Sequence, residues 1–177
     1  NLGNVYRVIT EKYHNRDHMR KHRKYYELLS SDIGGNRKYT EKFHHFRLMD
    51  IETGRNIPGQ EHFCYGTGYP ALDEEIVYHY EGASSPQITT RKKYEYGPYG
   101  NIKTYYNYGD TQSSDDDFRV EITYHTDRNN LNLTGVPVSV QVKPVSGNVV
   151  LRKKENTVDV HTGKFTRVIS GNAVYNF

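Results

Sequence analysis

Polar and apolar residues alternate along two stretches in the second half of the chain. In residues 118–126, phenylalanine, valine, isoleucine and tyrosine fall on one face, and charged or hydroxyl side chains fall on the other. In residues 136–142, valine occupies every second position. Because successive side chains of a β-strand point to opposite faces, this period of two predicts a strand with one apolar face at both places.

Other stretches are rich in β-branched and aromatic residues and are separated by glycine, proline, asparagine and aspartate, which form turns. They predict strands at 5–13, 38–49, 76–80, 88–96, 102–108, 149–158 and 164–169, and the opening of another strand at 173–177. Short strands with turn signals at this spacing are typical of an antiparallel meander. The sequence therefore predicts an all-β fold built mostly from antiparallel hairpins.

Residues 15–31 are open to two interpretations. The run HMRKHRKYYELL at 18–29 contains neither glycine nor proline, so a short basic helix fits. Tyr25 and Tyr26 favour a sheet, so a loop followed by a strand fits equally well. The predicted fold is all-β with at most a short helix within 15–31.

The chain divides into two segments by composition. Residues 1–70 are basic and irregular and end in a loop rich in glycine and proline at 58–70, whereas 71–177 has the regular hairpin pattern. The net charge is +3, yet residues 1–50 alone carry 11 Lys/Arg against 6 Asp/Glu, with the histidine-rich stretch 12–24 among them. A basic patch suits nucleic acid or an anionic membrane, but it also suits a solvated protein face.

The sequence has no pattern typical of a membrane-spanning segment or of a nucleic-acid-binding motif. No window approaches 18 consecutive apolar residues, so we expect no membrane span. Lysine and arginine lie beside tyrosine at 23–26 and 91–94, but no nucleic-acid recognition motif accompanies them. We therefore expect no nucleic-acid partner.

Three groups of residues could carry chemistry. They are His14, His18 and His22; Asp110 with Asp115, Asp116 and Asp117; and Cys64 near His62. The histidines would line one face of a helix, but the arginine and lysine between them repel a cation. The aspartates lack the spacing of a calcium loop, and the cysteine has no orienting partner in sequence. We therefore expect no active site, no metal and no cofactor, so the chain is not predicted to be an enzyme.

Turn signals recur in two forms. Residues 50–55 and 159–164 share Asp-x-x-Thr-Gly-[Arg/Lys], and a Gly-Asn-aliphatic element occurs at 100–102 and 147–149. Glycine supplies the positive φ that a tight hairpin needs, and an aspartate or asparagine side chain bonds the backbone of its own turn. Tyrosines beside such turns can pack on the neighbouring strand, which predicts stacked hairpins.

These elements resemble the YD-repeat (Rhs) family, whose repeats run roughly Tyr-x-Tyr-Asp-x-x-Gly-[Asn/Arg]-aliphatic. The resemblance is carried by Tyr99-Gly100-Asn101, Asn107-Tyr108-Gly109-Asp110, the aspartates at 115–117, Ile122-Thr123-Tyr124 and the run LTGVPVSV at 133–140. Within the family, residues 94–142 are most similar to the B component of bacterial toxin complexes. Gly97 stands where the family usually has aspartate after its second tyrosine.

The resemblance implies a β-sheet spiral that closes into a hollow shell around a toxic C-terminal polypeptide. At 177 residues, the chain would be a few turns of the wall of a much larger bacterial protein, secreted or displayed at the cell surface. Its partners would be the rest of the shell, the toxic polypeptide and other toxin-complex subunits. The residues expected to matter are the turn formers Gly100, Asn101, Gly109, Gly135 and Gly163, and the packing tyrosines Tyr94, Tyr96, Tyr99 and Tyr124.

An autonomous all-β module that binds a carbohydrate or a cell-surface receptor is the alternative. Tyrosine-rich strands can stack on sugar rings, although the absence of tryptophan counts against a sugar site.

The turn interpretation predicts an asymmetry between two substitutions. If Gly100 has a positive φ, Gly100→Val should lower the free energy of unfolding more than replacement of a surface lysine, because valine is strained in that region. Denaturant unfolding of the two variants measures the difference, and equal losses would contradict a positive φ at Gly100.

Overall fold

The chain forms one antiparallel β-sheet in which every strand lies next to its neighbours in sequence. The computed structural model describes the backbone of residues 6–16, 19–28, 37–57, 68–127 and 133–176, and the side chains from residue 40 onward within those ranges. The sheet order follows the chain order from β1 to β11. The strands are β1 Tyr6–Arg16, β2 Met19–Leu28, β3 Arg37–Asp50, β4 Gly68–His79, β5 Ile88–Tyr96, β6 Ile102–Asp110, β7 Phe118–Asp127, β8 Leu133–Pro144, β9 Arg152–Val158, β10 Phe165–Ser170 and β11 Ala173–Asn176.

The all-β prediction is confirmed, and the described helical content is one short 3₁₀ turn at Pro98–Gly100. The interpretation of 15–31 as a short helix is wrong, because β2 occupies Met19–Leu28. Its backbone pairs with β1 on one side and β3 on the other. A strand flanked on both sides satisfies its backbone groups in the ladder, and this outweighs a weak helix preference.

The predicted strand at 76–80 covers only the end of β4. The strand begins at Gly68, eight residues before the predicted start at 76, and Tyr69 and Pro70 pair with Met49 and Leu48. The loop predicted at 58–70 is therefore wrong for its last three residues, and 58–67 lie outside the described residues. The boundary drawn at residue 70 falls inside β4, so one sheet passes across both predicted segments.

The start of β9 was predicted too early. Val149, Val150 and Leu151 precede the strand and lie in the connection after β8. Their side chains are largely exposed, with Val149 at 70%. The two β-branched valines favour a strand in sequence, but no neighbouring layer covers these three side chains among the described residues.

The sheet is one layer thick and has little interior. Among the described residues, the buried apolar side chains are Met49, Ile57, Ala71, Val77 and Tyr80. They cluster around β3 and β4. The accessible surface is 12110 Å², whereas a compact monomer of this mass would expose about 8,900 Å². The molecule therefore leaves much of both faces of its sheet in contact with water.

Alternate connections lie at the same end of the sheet, because the chain runs back and forth. One end carries the 50–55 turn after β3, the 97–101 turn between β5 and β6, the start of β8 at 133–135, and the 159–164 turn between β9 and β10. These four segments are called the turn row below.

Register shifts interrupt several strand pairings, including β3–β4, β5–β6 and β7–β8. An extra residue on one strand bends that strand and increases its twist. The sheet therefore contains the local features that allow a wide antiparallel sheet to curve.

Candidate functional site: the turn row and the tyrosine face

The 50–55 turn is held by one carboxylate. Asp50 Oδ1 accepts hydrogen bonds from the backbone N–H groups of Glu52 and Thr53, at 3.1 and 2.8 Å. The N–H of Gly54 donates to the Asp50 carbonyl oxygen at 2.9 Å, and Gly54 has a φ of 64°. The hydrogen bonds from Thr53 lower the pKa of Asp50, because they favour its charged form.

The 159–164 turn repeats this arrangement. Asp159 Oδ1 accepts from the backbone N–H groups of His161 and Thr162, at 2.7 and 3.2 Å. The N–H of Gly163 donates to the Asp159 carbonyl oxygen at 2.8 Å, and Gly163 has a φ of 71°. The hydrogen bond from His161 is the main cause of a lowered Asp159 pKa. The shared Asp-x-x-Thr-Gly pattern therefore encodes one turn structure, built twice.

Both motif glycines lie against another segment of the turn row. A Cβ built on Gly54 would lie less than 3.0 Å from the backbone of Gly97, and one built on Gly163 would meet the side chain of Leu133 at 2.8 Å. The N–H of Tyr99 also donates to the Ile51 carbonyl oxygen at 2.5 Å. Both positions therefore favour glycine for its positive φ, and at Gly54 the neighbouring backbone also leaves no room for a Cβ, whereas at Gly163 the Leu133 side chain could shift.

The 97–101 turn contains the predicted residues Tyr99, Gly100 and Asn101. Tyr99 and Gly100 have φ values of 63° and 75°. Asn101 Nδ2 donates to the Pro98 carbonyl oxygen at 3.2 Å and to the Thr134 carbonyl oxygen at 2.5 Å. Asn101 therefore closes its own turn and also ties that turn to the start of β8.

The other two glycines that were predicted to form turns lie within strands, Gly135 in β8 and Gly109 in β6. Gly135 lies within β8 without a positive φ, and a Cβ there would clash with the Asn101 side chain. Gly109 has a φ of 46° but lies in β6 near the opposite end of the sheet, against the carboxylate of Asp116. The structure thus brings Gly100, Asn101, Gly135 and Gly163 to the turn row and leaves Gly109 away from it.

Aromatic side chains form a line across β5, β6 and β7. Tyr94 and Tyr105 are directly opposite in the β5–β6 pairing, and their ring centres are 5.4 Å apart. Phe118 on β7 continues the line, 6.2 Å from Tyr105. Cross-strand aromatic pairs of this kind each contribute about 0.2–1 kcal/mol.

Two of the predicted tyrosines bond to the backbone of a neighbouring strand. Tyr96 donates its hydroxyl to the Leu72 carbonyl oxygen at 2.8 Å, and Tyr124 donates to the Ile102 carbonyl oxygen at 2.9 Å. Burial, with a contribution from Tyr69, raises the pKa of Tyr96 to about 12. Both phenols therefore remain neutral donors over the physiological pH range.

A cleft of about 300 Å³ lies beside Tyr96, where β3, β4 and β5 adjoin. Met49 and Ala71 are buried at its base, and the rings of Tyr94 and Tyr96 line it. Polar residues complete the lining: Arg47, Asn56, Asp73, Glu95 and Lys103.

Sequence reasoning missed several contributors to this region. Tyr69 makes an edge contact with Tyr96 at 6.2 Å, but it was assigned to a loop. Tyr105 was not singled out because the turn motif does not include it. Gly54 could have been found, since it occupies the same motif position as Gly163.

The metal candidates do not assemble in the part of the chain that the structure describes. No group of three or more His, Cys, Asp or Glu there could hold an ion. Asp110 Oδ1 instead accepts the backbone N–H of Gln112 at 3.1 Å, so it caps the loop that follows β6. His14, His18, His22 and Cys64 lie outside the residues whose side chains are described.

Comparison of the chain with protein-family models, with curated protein sequences and with solved structures gave no match. Within the described residues, no helix has the length and apolar character needed to cross a membrane.

The close approach of Gly54 to Gly97 gives a matched pair of alanine substitutions. Gly54→Ala and Gly100→Ala both place a side chain at positive φ, which costs about 1–2 kcal/mol. At Gly100 the added Cβ would meet the Tyr69 ring at an ordinary contact distance of 3.4 Å. At Gly54 it would meet backbone, so we expect an additional loss of about 1–3 kcal/mol.

Denaturant unfolding of both variants tests this contact. Equal losses in the free energy of unfolding would mean that the 50–55 turn does not press on the 97–101 turn in solution.

The aspartate turns predict a pH dependence of stability. Because Asp50 and Asp159 have lower pKa values in the folded chain than the usual 3.8, their charged forms stabilise the fold above that pH. This contribution should be lost as the pH falls below 3.8 and passes through the lower pKa values of the folded chain. In Asp50→Asn, the denaturant midpoint of unfolding should therefore fall less steeply with decreasing pH than in the parent chain.

Asp115→Asn is the control for this series, because no turn hydrogen bond to the Asp115 carboxylate occurs among the described residues. In Asp115→Asn, the unfolding midpoint should depend on pH as it does in the parent chain. If Asp50→Asn also shows the pH dependence of the parent chain, the Asp50 carboxylate does not stabilise the turn.

Proposed function

We propose that this chain is a non-catalytic structural segment of a YD-repeat protein of the toxin-complex or Rhs-like type. In that role it builds part of the wall of a hollow β shell that encapsulates a toxic polypeptide. The proposal is supported by a wide, one-layer antiparallel meander whose strands follow the chain order.

The observation that carries the proposal is the charge on both faces of the sheet. Glu74 Oε1 contacts the Arg91 guanidinium at 2.5 Å, and Glu75 Oε1 contacts Lys92 Nζ at 3.3 Å. Both pairs join β4 to β5. Glu74 and Glu75 are consecutive residues of β4, so their side chains, and with them the two ion pairs, lie on opposite faces of the sheet. An apolar layer over either face would remove water from an ion pair, which is costly. A shell wall, with water inside and outside, avoids that cost.

The function would be mechanical. Backbone ladders join each strand to the next, and the turn row ties hairpins together at one end through Gly54, Asn101 and Gly163. Such a wall contains its cargo and supplies no chemistry of its own. Other parts of the parent protein would provide the toxic activity.

The proposed partners follow from this role. They are the rest of the parent shell, the toxic C-terminal polypeptide it encloses, and other subunits of a toxin complex. The proposed location is outside the bacterial cytoplasm, as a secreted or surface-displayed protein.

The second candidate is an autonomous all-β module that binds a carbohydrate or a cell-surface receptor. It is favoured by the cleft lined by Tyr94 and Tyr96, since two aromatic rings with polar groups around them form a recognition surface.

A wall segment with strands at its edges predicts association between chains. Among the described residues, β11 pairs only with β10, and Val174 on β11 is 47% exposed. Unpaired strand edges template further pairing. Sedimentation velocity over a concentration series should therefore show growth of species larger than the monomer, and Val174→Lys should reduce it.

Val149→Lys is the matched control, because Val149 is also exposed but lies in a connection rather than on an edge strand. It should leave association unchanged. A strict monomer at all concentrations would favour the autonomous module over the wall.

A further inference from the structure

The tyrosine-lined cleft has a rigid aromatic side. The Tyr96 ring is fixed at its hydroxyl by the Leu72 carbonyl oxygen and at its edge by Tyr69. The Tyr94 ring packs against the Tyr105 ring, with their centres 5.4 Å apart. Rings that are already held by such contacts lose less conformational entropy when a ligand stacks on them. The two rings thus form a prepared platform at adjacent positions on one face of β5.

The polar side of the cleft has unused hydrogen-bonding capacity. Asp73 Oδ2 is taken by His45 Nδ1 at 2.9 Å and by Arg47 Nε at 3.0 Å. The side chains of Asn56 and Lys103 are exposed and have no hydrogen-bond partner among the described residues. Donors and acceptors of both kinds therefore line a cleft that also presents aromatic rings.

The cleft carries little unpaired charge. Arg47 is already paired with Asp73. Glu95 lies between Tyr94 and Tyr96 on β5, so its side chain points to the other face, where its carboxylate accepts a hydrogen bond from the Tyr106 hydroxyl. The remaining lining charge is Lys103, which is exposed and therefore adds little to the binding of an anion. A neutral ligand rich in hydroxyl groups fits this arrangement.

We infer that this cleft binds a neutral saccharide of one or two rings. The apolar C–H face of the sugar would stack on Tyr94 and Tyr96, while its hydroxyls would pair with Asp73, Asn56, Arg47 and Lys103. The volume of about 300 Å³ suits a ligand of that size. The inference rests on the second candidate function, the binding module, and not on the wall.

The test uses the whole chain and a panel of glucose, galactose, mannose, N-acetylglucosamine, lactose and cellobiose. Saturation-transfer NMR at about 20 mM sugar detects weak binding, and calorimetric titration then gives Kd, which we expect in the millimolar range. Tyr94→Leu should weaken binding at least about tenfold, and Lys103→Ala about threefold. Lys103 is exposed, so its removal should leave the fold intact.

Tyr106→Leu is the matched control, because Tyr106 lies on the neighbouring strand, bonds to Glu95 and does not line the cleft. It should keep the affinity of the parent chain. Loss of binding in Tyr106→Leu as large as in Tyr94→Leu would overturn the site. So would the absence of saturation transfer from every sugar of the panel, or tighter binding of glucuronate than of glucose. Sedimentation velocity measures association between chains and not sugar binding. Its result therefore tests the wall proposal independently of the saccharide site.

Discussion

A sheet one layer thick has to be stabilised within its own plane. In a sandwich or a barrel, most of the stabilising free energy comes from side chains buried between layers. Here the described residues bury few apolar side chains, and those lie mainly around β3 and β4. The remaining stability has to come from the backbone ladder and from contacts between side chains of neighbouring strands. The other features of the structure serve this requirement.

Side chains cross from strand to strand along both faces. Glu121 is held by Lys143 at 2.5 Å and by Arg119 at 2.8 Å, and these hydrogen bonds lower its pKa. Glu75 is partly buried, which alone would raise its pKa, but hydrogen bonds from His44 and Lys92 outweigh that effect and lower it. Single surface ion pairs contribute little, about 0–1 kcal/mol. Their placement matters more than their number, because most of the ion pairs among the described residues join neighbouring strands, as Lys143–Glu121 and Lys92–Glu75 do.

The elements that could be predicted are those whose signal is local. The alternation at 118–126 and the doubled Asp-x-x-Thr-Gly motif depend on residues close in sequence, and β7 and the two turns follow them. The local signal did not decide β2 and was wrong at the start of β4. At β2 the local residues fit a helix and a strand equally well, and pairing with β1 and β3 decides for the strand. At the start of β4 the local residues favour a loop, and pairing with β3, as of Tyr69 with Met49, makes it a strand. The cleft could not be predicted, because its lining residues come mostly from four strands, β3, β4, β5 and β6, and are spread from residue 47 to residue 103.

The placement of charge also limits what can cover the sheet. Around β4 and β5, ion pairs occupy both faces, so neither face suits an apolar layer. Around β7 and β8 the faces differ, because Val120 opposes Val142 on one face while Arg119 opposes Lys143 on the other. Those valines are only half-buried. The two regions therefore face different requirements: the β4–β5 region is stable with water on both sides, whereas the β7–β8 region would gain from cover on its valine face. The proposed shell wall would meet both requirements with one continuous sheet if its valine face were turned toward the enclosed polypeptide.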